Sequence, residues 1–121
     1  MSNEKTVIDI GEALKRAMGD ADFLRVMLEE LHRSIPGFVS RIENALNSND
    51  TESLGSDAHQ FKGAAANLGA KALAHAALQL EKIGKSGALE GAAEAFDHLE
   101  QSIADFNHNF QAIDWSAVSA E

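Results

Sequence analysis

The chain has 121 residues, 45% of them hydrophobic and 24% charged, with 19 acidic against 10 basic side chains and a formal net charge of −9. Such a length makes one ordinary domain that can bury a core without staples, and it excludes a multidomain enzyme. The absence of cysteine removes disulfides, thiolate metal sites and thiol nucleophiles, and the acidic balance opposes binding to a phosphate backbone, so nucleic acid is not an expected partner.

One proline, no tyrosine and an abundance of Ala, Leu and Glu argue against a sheet, which favours alternating β-branched and aromatic residues. The expectation is an all-α fold. No stretch approaches the roughly 18 consecutive apolar residues of a membrane span, and the polar start Met1-Ser2-Asn3-Glu4-Lys5 lacks the apolar core of a signal peptide. A cytoplasmic protein without a membrane partner is therefore expected, folded as a single domain over residues 1–121 with its core from about residue 9 to about residue 114.

A short leading helix is predicted from Asp9, a good N-cap, through Ile10, Ala13, Leu14, Ala17 and Met18, with Gly19 ending it. Asp20 can cap the longest helix, in which Leu24, Leu28, Leu31, Ile35, Phe38, Ile42 and Ala45 recur at alternating four- and three-residue steps. Pro36 lies inside that run and cannot donate to the carbonyl of His32, so a kink is expected there, since the apolar stripe continues on both sides. Asp50 or Thr51 can cap a third helix running to about Leu68, with Gly69 after it. A fourth is expected from about Ala70 to Ile83, its face set by Leu73, Ala76, Ala77, Leu80 and Ile83, with Gly84 closing it. After Ser86-Gly87 a last helix carries Leu89, Ala93, Phe96, Leu99, Ile103, Phe106, Phe110 and Ile113, and Trp115 packs as a terminal plug. Four substantial amphipathic helices joined by short turns predict an antiparallel up-down-up-down four-helix bundle with a short additional N-terminal helix.

The third helix carries the chemistry, because its apolar stripe is complete without its histidine. Leu54, Ala58, Phe61, Ala65 and Leu68 fall within about 40° of one direction when each residue turns the helix by about 100°. On the same wheel His59 lies about 140° away, Lys62 about 80° and Gly63 about 180°. The imidazole therefore faces outward with an ammonium on its flank. A glycine inside a helix costs roughly 1 kcal/mol relative to alanine. Gly63, at i+4 from His59, leaves open space beside the ring. Neutral imidazole is a competent nucleophile and Lys62 can offset charge on phosphoryl oxygens, so the cluster suits a phosphoryl group and an approaching partner.

The run Ala58-His59-Gln60-Phe61-Lys62-Gly63-Ala64-Ala65-Ala66-Asn67-Leu68-Gly69-Ala70 resembles the signature of histidine-containing phosphotransfer (HPt) domains. These pair a histidine with a lysine and a glycine three and four positions later, and a further glycine ends that helix. The resemblance extends over most of the chain, from near Asp9 to the last helix. It implies a four-helix bundle that is not an enzyme but a phosphate carrier in two-component phosphorelays. His59 would be the phosphoacceptor, Lys62 its electrostatic partner and Gly63 the residue that gives access. The family's polar and basic residues on the following helix fall by offset on Glu81 and Lys85. Where relatives carry a small hydroxyl residue after the lysine-glycine pair this chain has Ala64, and where a glutamine can bond the imidazole it has Glu81. A carboxylate there would orient an N–H but repel a phosphoryl group. Glu81 is accordingly read first as a surface carboxylate that turns away, and second as one that tunes phosphohistidine lifetime. Lys85 reads equally as support for the phosphate or as helix-end charge complementarity.

The implied partners are receiver domains of response regulators, a hybrid histidine kinase, or both, with the transfer chemistry and magnesium supplied by the receiver. The chain would have no cofactor of its own and be a monomer. Leu14 and Met18 beside Phe23 read equally as a candidate apolar docking patch or as residues that cap the bundle core. The other histidines, His32, His75, His98 and His108, form no His-x-x-x-His pair, and the two Glu-x-x-His motifs on facing helices that a di-metal bundle needs do not occur, Glu29 and His32 being the one such spacing. Gly84-Lys85-Ser86 lacks the earlier glycine and the strand of a nucleotide loop. The rival reading is a helical bundle that binds and inhibits a receiver or kinase without being phosphorylated.

Overall fold

Five α-helices and one 3-10 turn follow one another in the computed structural model, which describes residues 6–118. They are α1 (Ile10–Arg16), α2 (Ala21–Asn47), α3 (Thr51–Asn67), α4 (Lys71–Ser86) and α5 (Ala92–Ala112), with the 3-10 turn at Trp115–Ala117. No strand occurs among the described residues. The polar start, residues 1–5, lies outside them.

Three of these helices begin on an aspartate that sequence assigns as a cap. Asp9, Asp20 and Asp50 each accept a hydrogen bond from a first-turn backbone N–H, those of Glu12, Phe23 and Ser53, each at 3.0 Å. Each carboxylate satisfies a donor that the helix itself cannot and complements the positive end of the helix. α2 packs on α3 and on α5, α4 packs on both α3 and α5, and α1 rests on α2. Between them Leu24, Leu28, Ile42, Leu54, Phe61, Leu73, Leu80, Leu99 and Phe106 are buried from solvent. Phe38 stacks on Phe61 with ring centroids 4.6 Å apart.

α2 runs as a single helix through Pro36, in keeping with the apolar stripe that continues on both sides; the proline is exposed and cannot donate to the carbonyl of His32. Other boundaries differ from expectation for identifiable reasons. α4 begins at Lys71 and continues to Ser86, with Gly87 at a φ of 81° as its left-handed cap. Gly84 is thus interior, because its service is to packing and not to termination: a Cβ there would stand 2.6 Å from Gly55 Cα and 2.8 Å from the Thr51 carbonyl oxygen. α5 starts after Gly91, another left-handed residue, so Leu89 lies in the connection and Ala92, not Ala93, is the buried alanine. In the leading helix Leu14 is core, 6% exposed, whereas Met18 adopts a φ of 58° beyond the helix end and is 93% exposed. The apolar surface next to it is formed by Phe23 and Val26, each about half exposed. Trp115 packs half-buried against the core, under the guanidinium of Arg25.

The turn between α3 and α4 is tied to the N-terminal segment. Gly69 has a φ of 72° and a Cβ on it would lie 2.7 Å from the carbonyl oxygen of Asp9, so no other residue fits. Asp9 N donates to Gly69 O and Ala72 N donates to Thr6 O, both at 2.8 Å. Lys71 pairs with Glu12 at 2.7 Å, and Arg16 donates to the carbonyl of Ala66 at the last turn of α3.

Candidate functional site

α3 turns Leu54, Ala58, Phe61 and Ala65 into the core, and that orientation fixes what its other face can present. The His59 side chain is 62% exposed, one turn before Gly63, around which a Cβ would meet nothing within 4 Å. The outward imidazole and the cleared space beyond it are as the helical wheel predicts.

α4 adds a feature that sequence reading placed wrongly. Glu81 is not a surface carboxylate: its side chain is 3% exposed, and it lies under the imidazole between the two lysines. His59 Nδ1 is 2.9 Å from Glu81 Oε2. Lys62 Nζ is 2.8 Å from Oε1 and Lys85 Nζ is 2.8 Å from Oε2. The Lys62 ammonium approaches Oε1 off hydrogen-bond alignment, so that this buried oxygen is balanced by charge rather than by a directed bond. The signal for this burial was present in the α4 pattern. Ala74, Ala77, Glu81 and Gly84 continue one buried stripe at three- and four-residue steps, with a carboxylate standing where an apolar residue would be expected.

The ammonium of Lys62, then that of Lys85, and less strongly the ring of His59, hold the Glu81 carboxyl well below the ordinary carboxylate range, at about 2, against burial, which acts in the opposite sense. Glu81 is therefore ionised at any neutral pH. An ionised carboxylate can only accept, so Nδ1 of His59 must carry the proton. In the neutral ring Nε2 is then left with its lone pair. Two ammoniums around one carboxylate leave the cluster with a positive balance on a chain of net charge −9.

Beside the imidazole runs an open groove of about 550 Å³ lined by Thr51, Gly55, Ser56, His59, Gly84 and Lys85. All five residues singled out from sequence, His59, Lys62, Gly63, Glu81 and Lys85, thus fall at one place, four of them joined directly through Glu81. No cluster of three or more His, Asp or Glu side chains suited to a metal ion occurs among the described residues, and none of their helices is long and apolar enough to cross a membrane.

This site sits inside a recognised family. The family model for the Hpt domain matches residues 26–109, which include every member of the cluster. A solved structure, that of histidine-containing phosphotransfer protein B from Pseudomonas aeruginosa PAO1, is similar with a TM-score of 0.78 and 25% identity. The alignment covers 88% of this chain and 93% of that one. No match was found among curated protein sequences. The chain belongs to the Hpt domain family and is a phosphotransfer carrier of the phosphorelay kind.

Proposed function

We propose that His59 is the residue that carries the phosphoryl group, receiving it from a receiver aspartate or a kinase and passing it to another receiver. The observation that carries this reading is an exposed imidazole whose Nδ1–H is held by a buried, ionised carboxylate between two ammoniums. With Nδ1 protonated, Nε2 attacks the phosphorus of a receiver's aspartyl phosphate. The N–P bond forms as the P–O bond to the aspartate breaks, and the leaving carboxylate takes the bonding pair. No proton has to move. The ring becomes a phosphoimidazolium that keeps its Nδ1–H, and the negative charge of Glu81 offsets the new positive charge. Run in reverse toward a second receiver, the same Nδ1–H and Glu81 pairing provides a good leaving group. Lys62 and Lys85, each 2.8 Å from the carboxylate that holds the ring, can turn from Glu81 to the phosphoryl oxygens, and Gly63 leaves room for them and for the partner.

In this reading the chain is a monomeric, cytoplasmic, single-domain carrier with no cofactor of its own. Helices α2 to α5 form an antiparallel up-down-up-down bundle, a view supported by their short connections and by the pairs that pack together. The receiver supplies the aspartate, the magnesium and the in-line geometry, since this chain offers only a nucleophile and charge. Met18, Phe23 and Val26 give a receiver an apolar surface to rest on.

Incubation with a phosphorylated receiver and magnesium should place acid-labile, base-stable label on the protein. His59→Gln should abolish it with the helical circular dichroism intact, because the side chain is exposed. Label persisting in that variant would overturn the assignment. A stable complex with a receiver but no label on the wild-type protein would instead mark a non-transferring binder.

A further inference from the structure

The cluster spans two helices, so its geometry depends on how closely their backbones approach. His59 and Lys62 stand on α3, Glu81 and Lys85 on α4, and the bonds between them cross the gap. Four residues before His59 and three after Glu81, the helices touch at Gly55 and Gly84. The contact is asymmetric. A Cβ on Gly55 would meet only ordinary neighbours, Gly84 C and Lys85 N at 3.6 Å. A Cβ on Gly84 would overlap backbone atoms of Gly55 and the carbonyl oxygen of Thr51, none of which can swing aside. The same two glycines line the groove beside the imidazole.

We infer that Gly84 is a positioning residue of the phosphotransfer site, its missing side chain letting α4 come near enough to hold Glu81 against His59 Nδ1. A methyl at 84 requires the backbones to separate by roughly an ångström here. The His59–Glu81 bond at 2.9 Å has no such slack, because hydrogen bonds of this kind extend only to about 3.2 Å. Separation frees the imidazole to exchange its proton between Nδ1 and Nε2, and the fraction of rings with a nucleophilic Nε2 falls. The step rests on the reading of His59 as phosphoacceptor, but its first consequence is a property of the unphosphorylated protein.

The test is long-range proton–nitrogen NMR of the histidine rings in the full chain, together with the transfer rate from a phosphorylated receiver. Wild type should show the Nδ1–H form for His59. Gly84→Ala should mix the two tautomers and slow transfer on the order of 100-fold, the cost of a misplacement of about an ångström. Gly55→Ala should retain wild-type tautomer and rate. If Gly84→Ala does not fold, Gly55→Val, whose branches reach past the Cβ toward Gly84 and Lys85, takes its place, with the same two readouts displaced in the same direction. A folded Gly84→Ala, or in its absence a folded Gly55→Val, with wild-type tautomer and rate overturns the inference. Failure to label His59 in wild type would overturn the proposed function alone, since the tautomer is read without phosphate.

Discussion

The α3–α4 pair and the surround of α2 and α5 are built from different residues for different ends. α2 and α5 bring large side chains to the centre, among them Leu24, Leu28, Leu31, Ile35, Leu99 and Phe106. Where α3 meets α4, Gly55, Ala58, Ala65, Ala74, Ala76, Ala77 and Gly84 predominate among the buried residues, with Leu and Phe61 between them, and the pair is the most extensively packed in the molecule. Large side chains bury much apolar area and so supply stability. Small ones bury little but let backbones approach, which fixes polar groups on facing helices relative to one another. The difference teaches that stability and site geometry are carried by separable sets of residues.

The strongest challenge to that division is Phe61, which belongs to α3 by sequence and to the large-residue core by its stack on Phe38. Phe61→Ala should cost about 3–5 kcal/mol in denaturant unfolding. At temperatures where the variant remains folded, phosphotransfer should fall by much less than in His59→Gln. An unchanged midpoint would mean that α3 is rotated from the orientation described.

Glu81 sharpens the comparison, as the one buried carboxylate among the described residues. Its folded pKa is depressed to about 2 from the usual 4.5, so its contribution is present above the unfolded value and is lost as pH falls from about 4.5 toward 2. An acid titration of unfolding free energy should therefore drop by on the order of 2 to 3 kcal/mol from this group across that window. Glu81→Gln should flatten the drop and release the His59 tautomer. A titration in Glu81→Gln as steep as in wild type would show that other carboxylates account for it.

The smallest effects concern the lysines. Lys62→Ala should slow transfer about tenfold. Because the amine is the counter-charge of a buried oxygen, the variant should also lose about 1 kcal/mol of stability, more than an exposed lysine off the apolar stripe would. Lys85→Ala, removing an ammonium on a side chain 70% exposed, should change stability by less than half of that. Equal losses from the two substitutions would place them in equivalent surroundings.

Much of this could be read from the residues. Three aspartate caps, the long stripe of α2 and the outward face of α3 follow from local chemistry and helical period, which need no knowledge of neighbours. His59, Lys62 and Gly63 were legible for the same reason: one helix determines their spacing. Glu81 and Gly84 were legible only as members of the α4 stripe, because what each does makes sense only when another helix is opposite. A carboxylate alone reads as solvated, and a glycine near a helix end reads as a terminator. Burial between Lys62 and Lys85 and contact with Gly55 reverse both readings.

The N-terminal strap bears on where this domain can be cut. Residues 6–20 precede the stretch matched by the family model, which begins at residue 26. Yet Ala13, Leu14 and Ala17 are core, and Asp9 and Thr6 complete the backbone pairing of Gly69 and Ala72. A fragment trimmed to the matched region would uncover the turn joining the two helices that carry His59 and Glu81, so the physical boundary of the folding unit lies upstream of the recognisable one.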